Sequence, residues 1–392
     1  MYKFSKQVIT VGEMASGAQL TIPVYQLKSG TKGPKIYIQA NMHGAEVQGN
    51  AVIFQLLELL KNAEFSGEIT LVPYANPVAC NHKNGEYTLG RFDPITGENW
   101  NRMYHFNGDI IAPFAEQHLH SDDADIETAF KALLQAEIDN KLEHNQYGLT
   151  TGQRIAYQLQ KMAHNADIVL DLHTGPISSK HLYCPEFAQA SASYFNIPHT
   201  ILIPNEFGGA MDEATFCPWW SLQAEFKRLG RVFSFNKESF TVELGSQEQI
   251  NLEVAKNDAQ GILSYLAYKN VLSIAQNQPE KIVRYACYLK NYKAFYSPMG
   301  GMVDYLAEFG KPLPAGEPLA RILRMDNYGQ NDFDQNTIDQ SYNNQSDNGQ
   351  EENKSLHYLT LDHEVLPILH FASASVNQGT ELYKVFINFF EL

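Results

Sequence analysis

Asn41-Met42-His43-Gly44-Ala45-Glu46-Val47-Gln48-Gly49-Asn50 is the stretch on which the reading of this chain turns. The six residues before it, Lys35-Ile36-Tyr37-Ile38-Gln39-Ala40, form an apolar run that reads as a buried strand. Residues 51–60 after it are long and apolar enough for a helix. His43 and Glu46 therefore stand at a strand-to-helix corner. Three apart at the start of a helix, they share a face, so an imidazole and a carboxylate converge on one point. In an α/β sheet that point is the crevice beyond the carboxyl ends of the strands. Zinc accepts both groups as ligands, and two ligands leave its shell incomplete. A His-x-x-Glu pair is equally what a helix N-terminal charge beside a hydrogen-bonded histidine looks like. A third ligand must come from elsewhere in the chain.

Working outward, residues 67–74 read as a second strand, which completes a βαβ unit and makes the sheet partly parallel. Residues 81–108 are rich in Gly, Asn and Pro and form a long loop expected over the active face. Helical periodicity returns over 125–140 and 153–164. The run Ala166-Asp167-Ile168-Val169-Leu170-Asp171-Leu172-His173-Thr174-Gly175 is a buried strand ending at His173, where a sheet enzyme places a ligand. In Ser239-Phe240-Thr241-Val242-Glu243-Leu244-Gly245 a carboxylate stands inside an apolar strand, an arrangement that is costly unless the group is paired or functional. A helix over 254–272 closes this domain.

At 392 residues the chain exceeds what one hydrophobic core usually organises, so a large domain and a smaller one are expected. The boundary falls at 282/283. Beyond it come short strands set off by Gly and Pro, the rhythm of a small all-β module. Within that module, residues 326–355 are crowded with Asn, Asp, Gln and Ser, too polar to bury a core, and read as a mobile excursion between strands. The formal charge of −15 argues against a nucleic-acid partner and against an anionic membrane surface. Cys80, Cys184, Cys217 and Cys287 form no C-x-x-C, so neither a thiolate zinc site nor a disulfide framework is expected. The first residues carry no apolar signal segment and no run reaches the length of a membrane span, which points to the cytoplasm.

His43, Glu46 and His173 bring the ligand count to three and leave a fourth position for water, the pattern of a catalytic rather than a structural zinc. Here the sequence resembles the succinylglutamate desuccinylase/aspartoacylase family of the zinc carboxypeptidase superfamily. The matching segments are Asn41-Met42-His43-Gly44-Ala45-Glu46, Asn99-Trp100-Asn101-Arg102, Asp171-Leu172-His173-Thr174-Gly175 and Phe240-Thr241-Val242-Glu243-Leu244-Gly245. The resemblance runs through residues 35–275 and more loosely over the C-terminal part.

It implies a three-layer α/β/α domain with a mixed sheet and a smaller C-terminal β domain of barrel-like form. It implies one zinc ion per chain on His43, Glu46 and His173, with Glu243 as the catalytic carboxylate. Asn101 and Arg102 fall on the family's pair for the substrate carboxylate, and Arg91 on the arginine that polarises the scissile carbonyl. Asp171, two residues before His173 on the same strand face, either orients that histidine or is a solvated or capping carboxylate. The expected reaction is hydrolysis of an amide bond in a small N-acylated, carboxylate-bearing substrate, with an ester as a further candidate bond. The rivals are a metallocarboxypeptidase acting on peptide C-termini and a non-catalytic metal-dependent binding protein. Self-association into a homo-oligomer stays open.

Overall fold

Strand alternation divides the chain's apolar residues between two faces of one large sheet. The computed structural model describes residues 2–273, 281–328 and 355–392, and within them two units, Met1–Leu289 with Phe390–Leu392, and Lys290–Phe389. In the first unit the strands are β1 (Lys3–Glu13), β2 (Gln19–Lys28), β3 (Lys35–Ala40), β4 (Glu68–Val72), β5 (Ile168–Gly175), β6 (Lys180–Pro185), β7 (His199–Ile203), β8 (Glu238–Ser246) and β9 (Tyr285–Tyr288). With Phe390–Glu391 they form a ten-stranded mixed sheet in the order β1-β2-β4-β3-β5-β8-β6-β7-β9 and then the terminal pair. The centre, β4-β3-β5-β8, is parallel, while β1, β2 and β6 pair antiparallel to their neighbours on the β4 and β8 sides.

Successive side chains of a strand point to opposite faces. One face collects Ile36, Ile38 and Ala40 of β3, Leu170 and Leu172 of β5, and Phe240 and Val242 of β8. These pack under α1 (Gln48–Leu60) and the later helix Leu252–Tyr268. A Cβ on Gly49 would lie 2.8 Å from that of Ala40 and 3.0 Å from that of Leu172, so glycine is what lets α1 sit so close to the sheet. The other face presents Tyr37 and Val169 to α3 (Thr151–His164) and the helix Met211–Arg228, with α2 (Asp123–Glu143) packed against α3. Helices thus cover both faces, in three layers. Further along the same strands, the second face carries the register rows Gln39–Asp171–Thr241 and His173–Glu243.

Three details differ from the sequence reading. α1 begins at Gln48, so His43 and Glu46 precede the helix instead of sharing its first turn. The helix Met211–Arg228 (α4, which makes Leu252–Tyr268 α5), with Pro218 in its interior, has no counterpart in that reading. The strand Tyr285–Tyr288, assigned to the C-terminal module, pairs in parallel with β7 of the large sheet.

The second unit is all β. Its strands Gly301–Tyr305, Pro318–Leu323, Leu356–Thr360 and Ser375–Val376 form one antiparallel group, and Tyr292–Tyr296, Glu381–Phe386 and Leu366–His370 another. Leu319, Ile322, Leu382 and Val385 lie at its core. Most of the polar stretch 326–355 lies outside the described residues. Among the described residues no helix is long and apolar enough to cross a membrane.

Candidate metal centre

β3 ends at Ala40, and Asn41 then takes a left-handed conformation at φ +64° that asparagine tolerates better than most residues. Its side-chain amide donates to the carbonyls of His43 (2.9 Å) and Gly44 (3.1 Å). The Glu46 N–H donates to the His43 carbonyl (3.2 Å), which closes a turn and brings the two side chains together without a helix. Gly44 lies against backbone on both sides. Its N–H donates to the Gly90 carbonyl (2.9 Å), and a Cβ there would fall 1.9 Å from the Ala79 oxygen.

His43 Nδ1 lies 2.8 Å from Glu46 Oε1, and His173 Nδ1 lies 2.7 Å from Glu46 Oε2. All three side chains are buried, and their ligand atoms fall within 4.8 Å of one another. The outer ring nitrogens face acceptors, His43 Nε2 the Asn99 Oδ1 at 2.8 Å and His173 Nε2 the Asp171 Oδ2 at 2.9 Å. The Asp171 approach is a close charge contact and not an aligned hydrogen bond, since that oxygen meets no hydrogen-bond geometry. A proton on Nε2 of each ring would suit these acceptors and would turn the Nδ1 lone pair toward the shared point. Asp171 is itself held by Gln39 Nε2 (2.8 Å), whose Oε1 accepts from the Tyr37 hydroxyl (2.9 Å). Asp171 is buried against the ring, which removes the solvated reading.

Stripping water from a carboxylate costs several kcal/mol, so Glu46 needs compensation. Burial pushes its pKa up, but the His43 and His173 charges outweigh burial and hold it well below the usual range. Burial likewise pushes His173 down, while Asp171 and Glu46 raise it well above an ordinary histidine. Two nitrogens aimed at one carboxylate require a proton or a cation between them. This donor set suits a divalent metal: two imidazole nitrogens with their far sides engaged, and one carboxylate.

Glu243 is the register partner of His173 on the neighbouring strand. The residue keeps partial exposure, but its Oε2 is sealed from solvent and has no hydrogen-bond partner among the described residues. Burial and the Glu46 charge push its pKa up to about 7, against the opposing pull of His173 and Arg91. Arg91 reaches Glu46 Oε1 from the loop with Nη1 at 3.3 Å, its side chain half exposed. Arg102 is exposed and donates from Nη1 to the Asn101 carbonyl (2.7 Å). Asn101 is buried instead, its Nδ2 3.3 Å from His173 Nε2 and its Oδ1 without a partner among the described residues. The structure therefore brings Glu243, Arg91 and Asn101 to the three ligands and leaves Arg102 at the solvent side of the same turn. Sequence reasoning missed Asn99 and Gln39. A polar residue within the apolar run of β3 was the available signal for Gln39.

Residues 32–269 match the succinylglutamate desuccinylase/aspartoacylase catalytic domain. The chain belongs to the succinylglutamate desuccinylase/aspartoacylase family. Within that family it is similar to a crystallised member from Shewanella amazonensis SB2B, at 51% identity and TM-score 0.91 over 99% of this chain and 100% of that one. A second crystallised member, from Shewanella frigidimarina NCIMB 400, is 47% identical with TM-score 0.91, covering 100% of this chain and 99% of that one. A more distant relative, 22% identical over 83% of this chain and 80% of its own length, is the N-alpha-acetyl-L-2,4-diaminobutyric acid deacetylase of Halomonas elongata. The relatives of this family member are deacylases, and its His43-Glu46-His173 group is able to hold a metal.

Proposed function

We propose that the chain is a zinc-dependent hydrolase that cleaves the amide bond of a small N-acylated amino acid or similar carboxylate-bearing compound. The observation that carries this reading is the convergence of His43 Nδ1, Glu46 and His173 Nδ1, with Glu243 in register beside His173. Zinc on these three residues, one ion per chain, would lower the pKa of a water and polarise a carbonyl.

The remaining roles belong to the chain's own side chains. Glu243, its pKa near neutrality, takes a proton from the water that adds to the carbonyl carbon. The carbonyl π pair moves to oxygen, and Arg91 holds the resulting oxyanion. As the carbon–nitrogen bond breaks, Glu243 returns the proton to the departing nitrogen. Arg102, whose remaining donors have no protein acceptor among the described residues, holds the substrate carboxylate in a two-pronged grip, and Asn101 lies beside it. An ester of the same shape would follow the same steps with an alcohol departing.

A screen of N-acyl amino acids against blocked dipeptides and longer peptides, with metal content measured on the same sample, tests the proposal. Hydrolysis of N-acyl amino acids by protein holding about one zinc per chain is the expected result. Efficient release of C-terminal residues from peptides of about five residues, with no turnover of N-acyl amino acids, would overturn it in favour of a carboxypeptidase.

A further inference from the structure

The turn after β8 ties together the segments that build the site. Ser246 pairs with Gly175 after a register shift past Glu243, and the Gln247 N–H donates to the Gly175 carbonyl (2.8 Å). The Glu248 N–H then donates to the carbonyl of Ala45, between His43 and Glu46 (2.8 Å). Glu248 itself is in the left-handed region at φ +58°, where glycine or asparagine is the usual occupant.

A glutamate at such a position has no backbone advantage, so its side chain is where a reason is to be sought. The carboxylate reaches across to the loop and takes both donors of Thr88. The Thr88 N–H donates to Oε1, and the Thr88 hydroxyl to Oε2 at 3.3 Å. Thr88 is buried and ends the small hairpin formed by Lys83–Asn84 and Tyr87–Thr88. Two residues later, the Gly90 carbonyl accepts from Gly44, and the next residue is Arg91. Arg91 is half exposed, and its guanidinium makes one contact in the site, to Glu46. Its position accordingly depends on how its backbone is fastened. Just upstream the ties are Thr88–Glu248, the Leu89 N–H on the His82 carbonyl (2.9 Å) and the Gly44 N–H on the Gly90 carbonyl, and at Arg91 itself the Trp100 N–H on its carbonyl (3.4 Å). Of these, Thr88–Glu248 is the tie made by a side chain from the turn after β8.

We propose that Glu248 is a positioning residue that fixes the Arg91 loop over the metal centre. The inference rests on the reading of Arg91 as the group that holds the oxyanion. It adds to that reading a distant carboxylate on which the arginine's placement depends.

The test uses the full chain with E248G, E248Q, R91A and the double variant E248G/R91A. E248G removes the clamp, which costs stability, and relieves the left-handed constraint, which restores some, so its melting temperature should stay close to that of wild type and the protein folded under assay conditions. Its kcat should nevertheless fall by about tenfold, with KM changed less than about twofold, because misplacement of a transition-state contact acts on kcat. E248Q keeps an oxygen for the Thr88 N–H and should recover most of the lost rate. In the R91A background, E248G should cost nothing further, since both changes remove one interaction. Amide exchange over residues 86–91 of the metal-free protein should quicken by about tenfold or more in E248G and not in E248Q.

Wild-type kcat in E248G, or a full additional loss on top of R91A, would overturn the proposal. If the wild type turns over no N-acyl substrate, the functional reading fails on its own, and the exchange measurement judges the clamp. Unchanged exchange over 86–91 would then remove it.

Discussion

Glu243 and His173 face each other across the parallel ladder between β8 and β5, on the one face of the sheet that is polar at that depth. Side by side, an imidazole of the candidate metal group and a carboxylate whose Oε2 has no partner among the described residues allow the two proposed functions to be separated by mutation. His43→Ala and His173→Ala should each lose the metal. Glu243→Gln should keep the metal and lower turnover by roughly 10² to 10⁴, because the amide cannot accept the water's proton. Elemental analysis beside steady-state kinetics checks both halves. Full metal in both histidine variants would remove the ligand assignment, and near-wild-type turnover in Glu243→Gln would name another base.

The raised His173 predicts that metal uptake is linked to protons. Without a cation, Asp171 and Glu46 keep this ring protonated above the ordinary histidine range, although burial opposes them. Binding needs the neutral ring, so about one proton per metal should be released near neutral pH, and affinity should fall as pH falls. Calorimetric titration of the metal-free protein in buffers of different ionisation enthalpy measures that number. Zero release at pH 7 would contradict it.

Arg102 should act on binding more than on chemistry. Its guanidinium is exposed and lies outside the three-ligand cluster, so Arg102→Ala should raise KM for every carboxylate substrate by a similar factor, about tenfold to a hundredfold, with kcat little changed. Substrates whose carboxylate is replaced by an amide should lose nothing further in the variant. A large fall in kcat alone would place Arg102 among the groups at the reacting carbonyl.

Lys237 gives a stability prediction independent of the site. Its buried ammonium donates to the carbonyls of Ala163 and Ala166 at the end of α3, and burial lowers its pKa from the ordinary 10.5 to about 7. Between those values the unfolded chain holds the proton and the folded chain has released it, so stability rises with pH across that window. It is lost as pH falls toward 7. Lys237→Met should flatten this slope in denaturant midpoints measured from pH 7 to 10. A slope equal to that of wild type would show that the group titrates normally.

Much of the centre could be read from the sequence because the alternation that buries Ile36, Leu170 and Val242 also dictates which way Asp171, His173 and Glu243 point. The exact source of the His43–Glu46 pairing could not. It comes from a left-handed Asn41 and an i to i+3 turn, and α1 starts after Val47 with no side-chain cap to announce it. Asn101 is placed with Arg102 on the substrate-carboxylate pair by the resemblance alone, since nothing local to residues 99–102 reveals that its side chain is buried against His173. The helix Met211–Arg228 goes unread. For Asn101 the missing information is a contact with a residue far away in the chain, and for the His43–Glu46 pair it is a local backbone conformation.

Gln39 lies between the apolar residues Ile38 and Ala40 yet faces the opposite side, where it holds Asp171. From Ile36 to Ala40 each residue of β3 is thus committed to one of two unrelated tasks, filling the space under α1 or building the other, polar-edged face below the candidate metal centre. Inserting or deleting one residue between 35 and 40 would exchange the two sets and spoil both tasks at once. The length of the chain from Lys35 to Glu46 is consequently as much a part of this site as the side chains it carries.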